Sequence, residues 1–244
     1  IMQHPTRYIA DYLFSCSDLA GKWMYGEKAT KQDNYQMIPN GIDIHRFTYS
    51  EAKRKTVRQS LGILEDEFVI GHIGRFTKPK NHIFLLQTFS AYLKKHPHSR
   101  LLLVGDGTLL QPMKKICGQM NIMNHVIFTG ARSNTEDYYQ VMDVFAFPSL
   151  WEGLPVSVVE AQASGLPCLI SDNITRNVQL TSLPKYLPVT DMTAWLNAFE
   201  IESQKKRTGC SEENQRKLRA FDAKEVARKL SAFYLKLYGE NGVE

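Results

Sequence analysis

From residue 67 onward, short β-branched segments alternate with amphipathic segments. Five segments have the composition of buried strands, at residues 68–74, 100–104, 126–129, 144–147 and 167–171. The segments between them have the spacing of helices with one apolar face, at residues 81–95, 108–120, 135–142 and 155–164. The aromatic and methionine side chains at helical spacing are expected in the core, namely Phe84, Phe89, Met113 and Met120. This alternation predicts an α/β fold, a Rossmann-like parallel sheet with helices on both faces.

Two flanking segments do not follow this alternation. Residues 8–13 have the pattern of a short helix, and Pro39 with the Asn40-Gly41 pair predicts a turn or linker. Residues 222–238 predict a helix that packs across a domain edge, with its apolar stripe at Val226, Leu230, Phe233 and Leu237. We therefore expect a remnant of another domain with a linker at 1–40, a Rossmann-like domain at 41–215 and a terminal helical part at 216–244. Because the chain starts at Ile1 and no glycine-rich turn precedes the first predicted helix, we also expect an excised part of a longer protein.

The composition is that of a soluble globular protein. The chain has 244 residues, 43% of them hydrophobic and 23% charged, and contains no apolar run of the roughly 18 to 20 residues that a membrane span requires. Its four cysteines form no Cys-x-x-Cys pair, which indicates reduced thiols in the cytoplasm. The net charge of +5 comes mainly from residues 205–207 and 216–219, which are interspersed with acids. Mixed charges without interleaved aromatic residues indicate a solvated face and no nucleic-acid partner.

The segment at residues 148–161 has the strongest chemical signal. It follows a predicted buried strand, so it lies at the carboxyl edge of the sheet, where open α/β folds bind ligands. Gly153 permits close backbone approach, and Pro155 suits the first position of a helix whose N-terminus attracts anions. Glu160 lies inside that helix among apolar neighbours, where a carboxylate needs a hydrogen-bonding partner such as a ribose hydroxyl. The alternative is an ordinary strand-to-helix turn.

A second candidate segment, residues 74–81, ends the first strand of the same sheet. Arg75 and Lys80 bracket its loop, so both can face the sheet edge that carries Glu152 and Gly153. Fixed cations of this kind stabilise the charge that develops on a departing diphosphate. The alternative is a pair of solvated loop charges.

Weaker signals end two further strands at the same edge. Gly105, Gly107 and the Gly130-Ala131-Arg132 segment either allow contact with a base or ribose or are simply helix-entry turns. His72 lies within a strand and is expected to be a core histidine without a catalytic role.

Together these segments resemble a known family, the large retaining glycosyltransferase family of the GT-B fold, or glycosyl transferases group 1, which includes bacterial exopolysaccharide enzymes. The resemblance covers about residues 38–172 and rests on five motifs in the family's order: Ile38-Pro39-Asn40-Gly41-Ile42-Asp43; Gly74-Arg75 with Lys80-Asn81; Val104-Gly105-Asp106-Gly107; Phe128-Thr129-Gly130; and Pro148-Ser149 through Glu152 and Glu160. It implies a Rossmann-like donor-binding domain.

The resemblance also implies roles for individual residues. Glu152 and Glu160, with seven residues between them, reproduce the family's donor-site spacing. By this resemblance Glu152 and the backbone at Gly153 and Leu154 contact the transferred sugar and the phosphates, and Glu160 holds the ribose. Arg75 and Lys80 resemble the family's diphosphate clamp. The remaining residues assigned to donor binding are Gly74, Gly105, Gly107 and Arg132. No metal or other cofactor is expected, because the nucleotide-sugar is a substrate.

The expected reaction is transfer of a sugar, with retention, from a nucleotide-sugar such as a UDP-sugar to a glycan or lipid-linked acceptor. The family's first Rossmann domain is nearly absent from this chain, so its acceptor-binding residues cannot be assigned and the fragment alone is not expected to be an efficient catalyst. The full enzyme is expected in the cytoplasm or peripherally at the inner face of the membrane. Two alternatives stay open, a nucleotide-sugar epimerase of GT-B type and a noncatalytic nucleotide-sugar-binding module. A dinucleotide dehydrogenase is disfavoured, because Gly71-His72-Ile73-Gly74 lacks the Gly-x-Gly-x-x-Gly turn.

Overall fold

The helices and strands were assigned in a computed structural model that describes residues 5–241; the predicted start at Ile1 and the end of the predicted 216–244 unit lie outside the described residues. The strands are β1 Leu13–Ser15, β2 Tyr35–Met37, β3 Phe68–Ile73, β4 Ser99–Val104, β5 Val126–Phe128, β6 Val144–Phe147, β7 Cys168–Ser171 and β8 Pro184–Leu187. The helices are α1 Thr6–Ile9, α2 Asp18–Tyr25, α3 Glu51–Ser60, α4 His82–Leu93, α5 Leu110–Gln119, α6 Thr135–Val141, α7 Val156–Ala163, α8 Met192–Ser203, α9 Glu212–Leu218 and α10 Ala223–Asn241.

Strand order places two loops side by side. Six of the strands within residues 5–241 form one parallel sheet in the order β5-β4-β3-β6-β7-β8. From β3 the sheet extends in one direction through β4 and β5, and in the other direction through β6, β7 and β8. This reversal makes the β3–β6 boundary the switch point of a doubly wound sheet. The loops that leave the carboxyl ends of β3 and β6 are therefore neighbours.

Helices cover both faces of this sheet, as a buried parallel sheet requires. In β4, Leu102 and Val104 face the core that includes side chains of α3, α6, α7 and α9. Leu101 and Leu103 face the opposite core, which includes side chains of α4, α5 and α8. The predicted α/β class is confirmed, and the five predicted strands and the four helices between them are found with ends shifted by at most two residues. The predicted core aromatics and methionines lie in this second core, where Met120 is half-buried.

The sixth strand of the sheet, β8, was not predicted. It starts at Pro184 and is followed by Pro188, and prolines usually signal a turn or loop. Both prolines are compatible with an edge strand. Pro184 is the first residue of the strand, where a proline interrupts few ladder hydrogen bonds, and Pro188 lies just after its end. Helix α3 was missed for a different reason. Its sequence is almost entirely polar, and it is held by the Ser50 N-cap and by the buried Arg58.

The prediction of a helix at residues 8–13 was wrong in its second half. Helix α1 ends at Ile9, and Leu13 begins β1, which pairs in parallel with β2. Helix α10 packs against this N-terminal part, because the Phe233 ring meets the rings of Tyr12 and Phe14 edge to face at 5.0 and 5.2 Å. The predicted stripe, which includes Phe233, is the less exposed face of α10.

The basic segment at residues 205–207 is a solvated face in part, since Lys205 and Lys206 are exposed as predicted and Arg207 is not. The Arg207 guanidinium is largely buried and donates to the backbone carbonyls of Gly165 and Met142 at 3.1 and 3.2 Å, and burial lowers its pKa to about 10. Lys205 pairs at 2.8 Å with Glu202, whose side chain is buried. Arg207 and Lys205 are ordered by contacts with buried carbonyl and carboxylate groups. The sequence does not show that these partners are buried. Further along, Arg216 is exposed as predicted.

The predicted free thiols, Cys16, Cys117, Cys168 and Cys210, form no disulfide. Within residues 5–241, no helix has both the length and the apolar character that crossing a membrane demands.

Truncation within α8 tests whether this unpredicted helix covers the sheet. Phe199 is fully buried against Tyr92 and Trp195, whereas Ile201, two positions further on, is 52% exposed. We expect Phe199→Ala to lower the free energy of unfolding by about 3–5 kcal/mol and Ile201→Ala by less than about 0.5 kcal/mol. Urea unfolding measures both values. Equal losses for the two variants would mean that α8 does not pack as described.

Candidate functional site

Two loops meet at the switch point of the sheet. Residues 74–81 follow β3, and residues 148–155 follow β6. The backbone N–H of Leu150 donates to the carbonyl of Pro79 at 2.7 Å, and the amide of Asn81 donates to the carbonyl of Pro148 at 3.2 Å. Asn81 has a left-handed backbone, with φ of 53°, at the start of α4. These two hydrogen bonds fasten the loops together, so side chains on one loop are held against those on the other.

Lys80 and Glu152 form an ion pair across these loops. Lys80 Nζ lies 2.8 Å from Glu152 Oε1, and the two side chains are only 17% and 19% exposed. The ammonium also lies over the Phe147 ring, 4.7 Å from its centroid. Glu152 Oε1 is buried, and the Lys80 ammonium is its close polar neighbour. The pair therefore brings a cation and a carboxylate together at the switch point.

Arg75 does not join this pair. It is exposed, and it lines an open cleft of about 470 Å³ together with Gly74, Gly105, Gly107 and Arg132. These residues follow β3, β4 and β5, so the cleft lies on one side of the switch point. The ion pair and the cleft are adjacent, because Gly74 lines the cleft and a Cβ added there would lie 3.2 Å from Lys80 Cε. Lys80 meets Glu152, and Arg75 lies with the glycines and Arg132.

Gly105 is required by the packing of this cleft. Its φ is +144°, and a Cβ at this position would lie 2.1 Å from the carbonyl oxygen of Gly74. The N–H of Gly105 donates to the carbonyl of Gly130 at 2.9 Å. The glycine therefore allows two loops of this chain to approach each other, and the predicted contact of its backbone with a nucleotide stays a prediction.

The N-terminus of α7 faces open space beside the ion pair. Pro155 precedes the helix, which begins at Val156, so the prediction of proline at the first helical position was wrong by one residue. Gly153 is exposed, and no other described atom lies within 4 Å of where its Cβ would be. The Leu154 side chain is half-buried against the core, so only its backbone is available to a ligand. Unpaired N–H groups at a helix start suit an anion.

Glu160 has the hydrogen-bonding partner that its apolar surroundings predicted. The Tyr139 hydroxyl lies 2.8 Å from Glu160 Oε2 and 2.9 Å from the carbonyl of Ser157. Burial raises the pKa of Glu160 above its ordinary value, the hydrogen bond from Tyr139 opposes this shift, and nearby Glu136 adds to it. Glu136 in turn binds Arg46 at 2.7 Å. No contact joins Glu160 to Lys80 or Glu152 among the described residues, so the predicted pair of glutamates occupies two separate positions.

Sequence reasoning missed Tyr139, because its contact with Glu160 spans 21 positions and joins two helices. The interpretation of His72 as a core residue is confirmed, since it is 1% exposed and its Nδ1 lies 2.9 Å from the carbonyl oxygen of Ala146. Within residues 5–241, no group of three or more His, Cys, Asp or Glu side chains is arranged to hold a metal ion.

The sequence model described as "Glycosyl transferases group 1" matches residues 53–181, which is more than half of the chain and includes both loops. "Putative glycosyltransferase EpsF" of Bacillus subtilis (strain 168) is 39% identical over 170 residues, which are 69% of this chain and 44% of that protein. An Escherichia coli protein, "UDP-Gal:alpha-D-GlcNAc-diphosphoundecaprenol alpha-1,3-galactosyltransferase", is 33% identical over 58% of this chain and 37% of its own length.

The chain spans less than half the length of these curated relatives. Among solved structures, Anabaena Alr3699/HepE in complex with UDP superposes with a TM-score of 0.79 and 19% sequence identity, over 95% of this chain and 65% of that one. Sucrose-phosphate synthase from Thermosynechococcus elongatus superposes with a TM-score of 0.74 and 21% identity, over 95% of this chain and 59% of that one. These likenesses show the same fold.

The hydroxyl of Tyr139 is expected to control the ionisation of Glu160. Replacing Tyr139 with Phe removes a hydrogen bond that favours the carboxylate, so the pKa of Glu160, already raised by burial, should rise further. A pH titration of the Glu160 carboxyl resonance by carbon NMR measures this shift. Tyr138→Phe, at the neighbouring buried tyrosine, serves as the control and should leave that pKa unchanged. An unaltered pKa in the Tyr139 variant would refute the assignment.

Proposed function

Because this chain belongs to the glycosyl transferases group 1 family, we propose that it binds a nucleotide-sugar donor and takes part in transferring the sugar to an acceptor. The observation that supports this most is the partly buried ion pair of Lys80 and Glu152 at the switch point, where the loops that follow β3 and β6 meet. A partly buried ion pair adds little net stability, because desolvation offsets most of the attraction. Such a pair is better explained by a ligand that uses both charges.

The proposed donor is a UDP-sugar. Anabaena Alr3699/HepE, which has the same fold, was crystallised with UDP, and the name of the Escherichia coli relative specifies UDP-Gal. We place the diphosphate between Lys80, the exposed Arg75 and the start of α7 near Gly153. As the glycosidic bond breaks, negative charge grows on the UDP leaving group. Cations and backbone N–H groups that are already in position stabilise this charge without reorganisation.

The two glutamates have different proposed roles. Glu152, beside Lys80, receives hydroxyls of the transferred sugar. Glu160 accepts hydrogen bonds from the ribose hydroxyls, and Tyr139 orients its carboxylate. The cleft of Gly74, Gly105, Gly107 and Arg132 holds the remainder of the nucleotide. By family analogy the sugar is transferred with retention of configuration. Because the donor is itself the substrate, the proposal includes no further cofactor.

The proposed acceptor is a glycan or a lipid-linked sugar, by analogy with the diphosphoundecaprenol acceptor in the name of the Escherichia coli relative. An enzyme acting on such an acceptor works in the cytoplasm, at the inner face of a membrane. The division into a remnant of an acceptor domain with a linker at 1–40, a donor domain at 41–215 and a terminal helical part at 216–244 belongs to the same proposal. In this arrangement the donor domain supplies Lys80 and Glu152.

Replacing Lys80 tests the proposed diphosphate site. Lys80→Met should raise the Kd for UDP and for inorganic pyrophosphate by about 10- to 100-fold, the effect of one charged hydrogen bond. Lys78→Met, in the same turn but exposed, is the matched control and should change either Kd by less than about twofold. Isothermal calorimetry measures all four values. Equal effects of the two substitutions would exclude Lys80 as the diphosphate ligand.

Replacing Glu160 tests whether this residue binds the ribose or the phosphates of UDP. Glu160→Gln should weaken UDP about 10-fold and leave inorganic pyrophosphate unaffected, because only UDP carries ribose hydroxyls. In the unaltered protein, UDP affinity should hold at high pH and fall as the pH drops through the pKa of Glu160, which burial raises, because protonation removes an acceptor. Calorimetry across a pH series measures both effects. A parallel loss of pyrophosphate binding would count against the ribose role.

A further inference from the structure

Buried polar groups without partners lie behind Lys80. His72, His82 and Ser149 are at most 2% exposed. Nε2 of His72, both ring nitrogens of His82 and Oγ of Ser149 have no hydrogen-bond partner. Buried polar atoms are nearly always paired, so each of these needs a partner that the neighbouring side chains do not supply. Of these groups, His72 has a free atom that shares a close neighbour, Gly74, with the side chain of Lys80.

The protonation of His72 is fixed by its backbone contact. Its Nδ1 lies 2.9 Å from the carbonyl oxygen of Ala146, and a carbonyl can only accept a hydrogen bond. Nδ1 therefore carries the proton, and Nε2 presents a lone pair. Burial, with a smaller effect of His82, holds the pKa of His72 well below its usual range, so the ring stays neutral. The unpaired Nε2 is consequently a hydrogen-bond acceptor.

Lys80 and His72 share two neighbours. The His72 ring stacks on Phe147 with 5.8 Å between centroids, and the ammonium of Lys80 lies over the same Phe147 ring. At Gly74, the position of an added Cβ would be 3.0 Å from His72 Nε2 and 3.2 Å from Lys80 Cε. The acceptor and the end of the lysine chain therefore both lie beside Gly74. No hydrogen bond joins them in this structure, where Lys80 pairs with Glu152.

We propose that His72 is a positioning residue for Lys80, with Nε2 accepting one N–H of the ammonium when a donor diphosphate is bound. This inference rests on the proposed role of Lys80 at the diphosphate. An ammonium on a flexible four-carbon chain has three donors and needs fixed partners to hold a direction. Glu152, a phosphate oxygen and His72 Nε2 would occupy all three. The absence of a side chain at Gly74 leaves room for this contact.

His82 is the competing partner for His72 Nε2. The two rings meet edge to face with 4.8 Å between centroids, and burial lowers the pKa of His82 to about 4, so its neutral ring has one N–H to donate. The His82 ring also stacks on Phe76, with 4.0 Å between the ring centroids. A test must therefore distinguish a contact with Lys80 from a contact with His82.

A double-mutant cycle on UDP affinity makes this distinction. His72→Phe keeps the stacking on Phe147 and removes the acceptor, so it should raise the Kd for UDP about fivefold, the effect of one ordinary hydrogen bond. In the Lys80→Met background the same substitution should have no further effect, because the partner is gone. His72→Gln, which restores an acceptor oxygen, should recover most of the affinity. His82→Phe is the matched control and should leave the Kd within about twofold.

The outcomes of this cycle distinguish failure of the inference about His72 from failure of the proposed function. If His72→Phe weakens UDP binding equally in both backgrounds, or not at all, the inference about His72 is wrong while the proposed function stands. If His82→Phe reproduces the effect of His72→Phe, the acceptor serves His82 and the inference is also wrong. If Lys80→Met itself leaves UDP affinity unchanged, the proposed function and this inference both fail. Thermal unfolding of each variant separates loss of fold from loss of affinity.

A measurement without any variant covers the case in which His72→Phe does not fold. Nitrogen NMR of the histidine rings in the unaltered protein should show His72 Nε2 without a proton. Its resonance should move upfield when UDP is added, as an acceptor nitrogen does on gaining a hydrogen bond. A protonated Nε2, or a resonance that UDP does not move, would overturn the inference.

Discussion

The ion pair of Lys80 and Glu152 is the interaction on which the rest of the site depends. Its two members belong to different loops, and Nζ and Oε1 lie 2.8 Å apart in a largely water-excluded position. Removing either partner would leave an uncompensated charge, so both loops are constrained together. The same pair matters for the chemistry of the site, because it brings a cation and a carboxylate together at one point.

The sheet makes this pairing possible. Strands β3 and β6 are adjacent in space although β4 and β5 lie between them in the chain, so their following loops meet at the switch point. Hydrogen bonds donated by Leu150 and Asn81 then join the two loops, and the Lys80 ammonium lies over the Phe147 ring. The cleft at Arg75 lies on the β4–β5 side, and Glu160 is held separately by Tyr139. The proposed function assigns the diphosphate and the transferred sugar to the ion pair and its surroundings, the ribose to Glu160 and the remainder of the nucleotide to the cleft.

The fold could be predicted where burial leaves a continuous signal. Strands covered on both faces have uninterrupted apolar runs, as in β6, and their carboxyl ends carry the motif loops. The prediction failed where an element depends on its position in the sheet or on contacts with distant residues, which local composition does not show. Prolines flank the edge strand β8, polar α3 is held by a cap and a buried arginine, and Arg207 is ordered by distant carbonyls.

The site was predicted in part for a similar reason. Spacing along the chain brought Lys80 and Glu152 to one edge of the sheet, because parallel strands end together. It could not give the direction in which each side chain leaves its loop, and so it did not show that Lys80 pairs with Glu152 while Arg75 lines the cleft. The contact of Tyr139 with Glu160 joins two helices and has no local pattern.

A crystal structure of this chain with UDP tests the central claim most directly. The account predicts a diphosphate oxygen within about 2.7–3.2 Å of Lys80 Nζ and the ribose hydroxyls on the carboxylate of Glu160. UDP bound with its diphosphate away from the Lys80–Glu152 pair, or bound while Glu160 contacts only Tyr139, would contradict it.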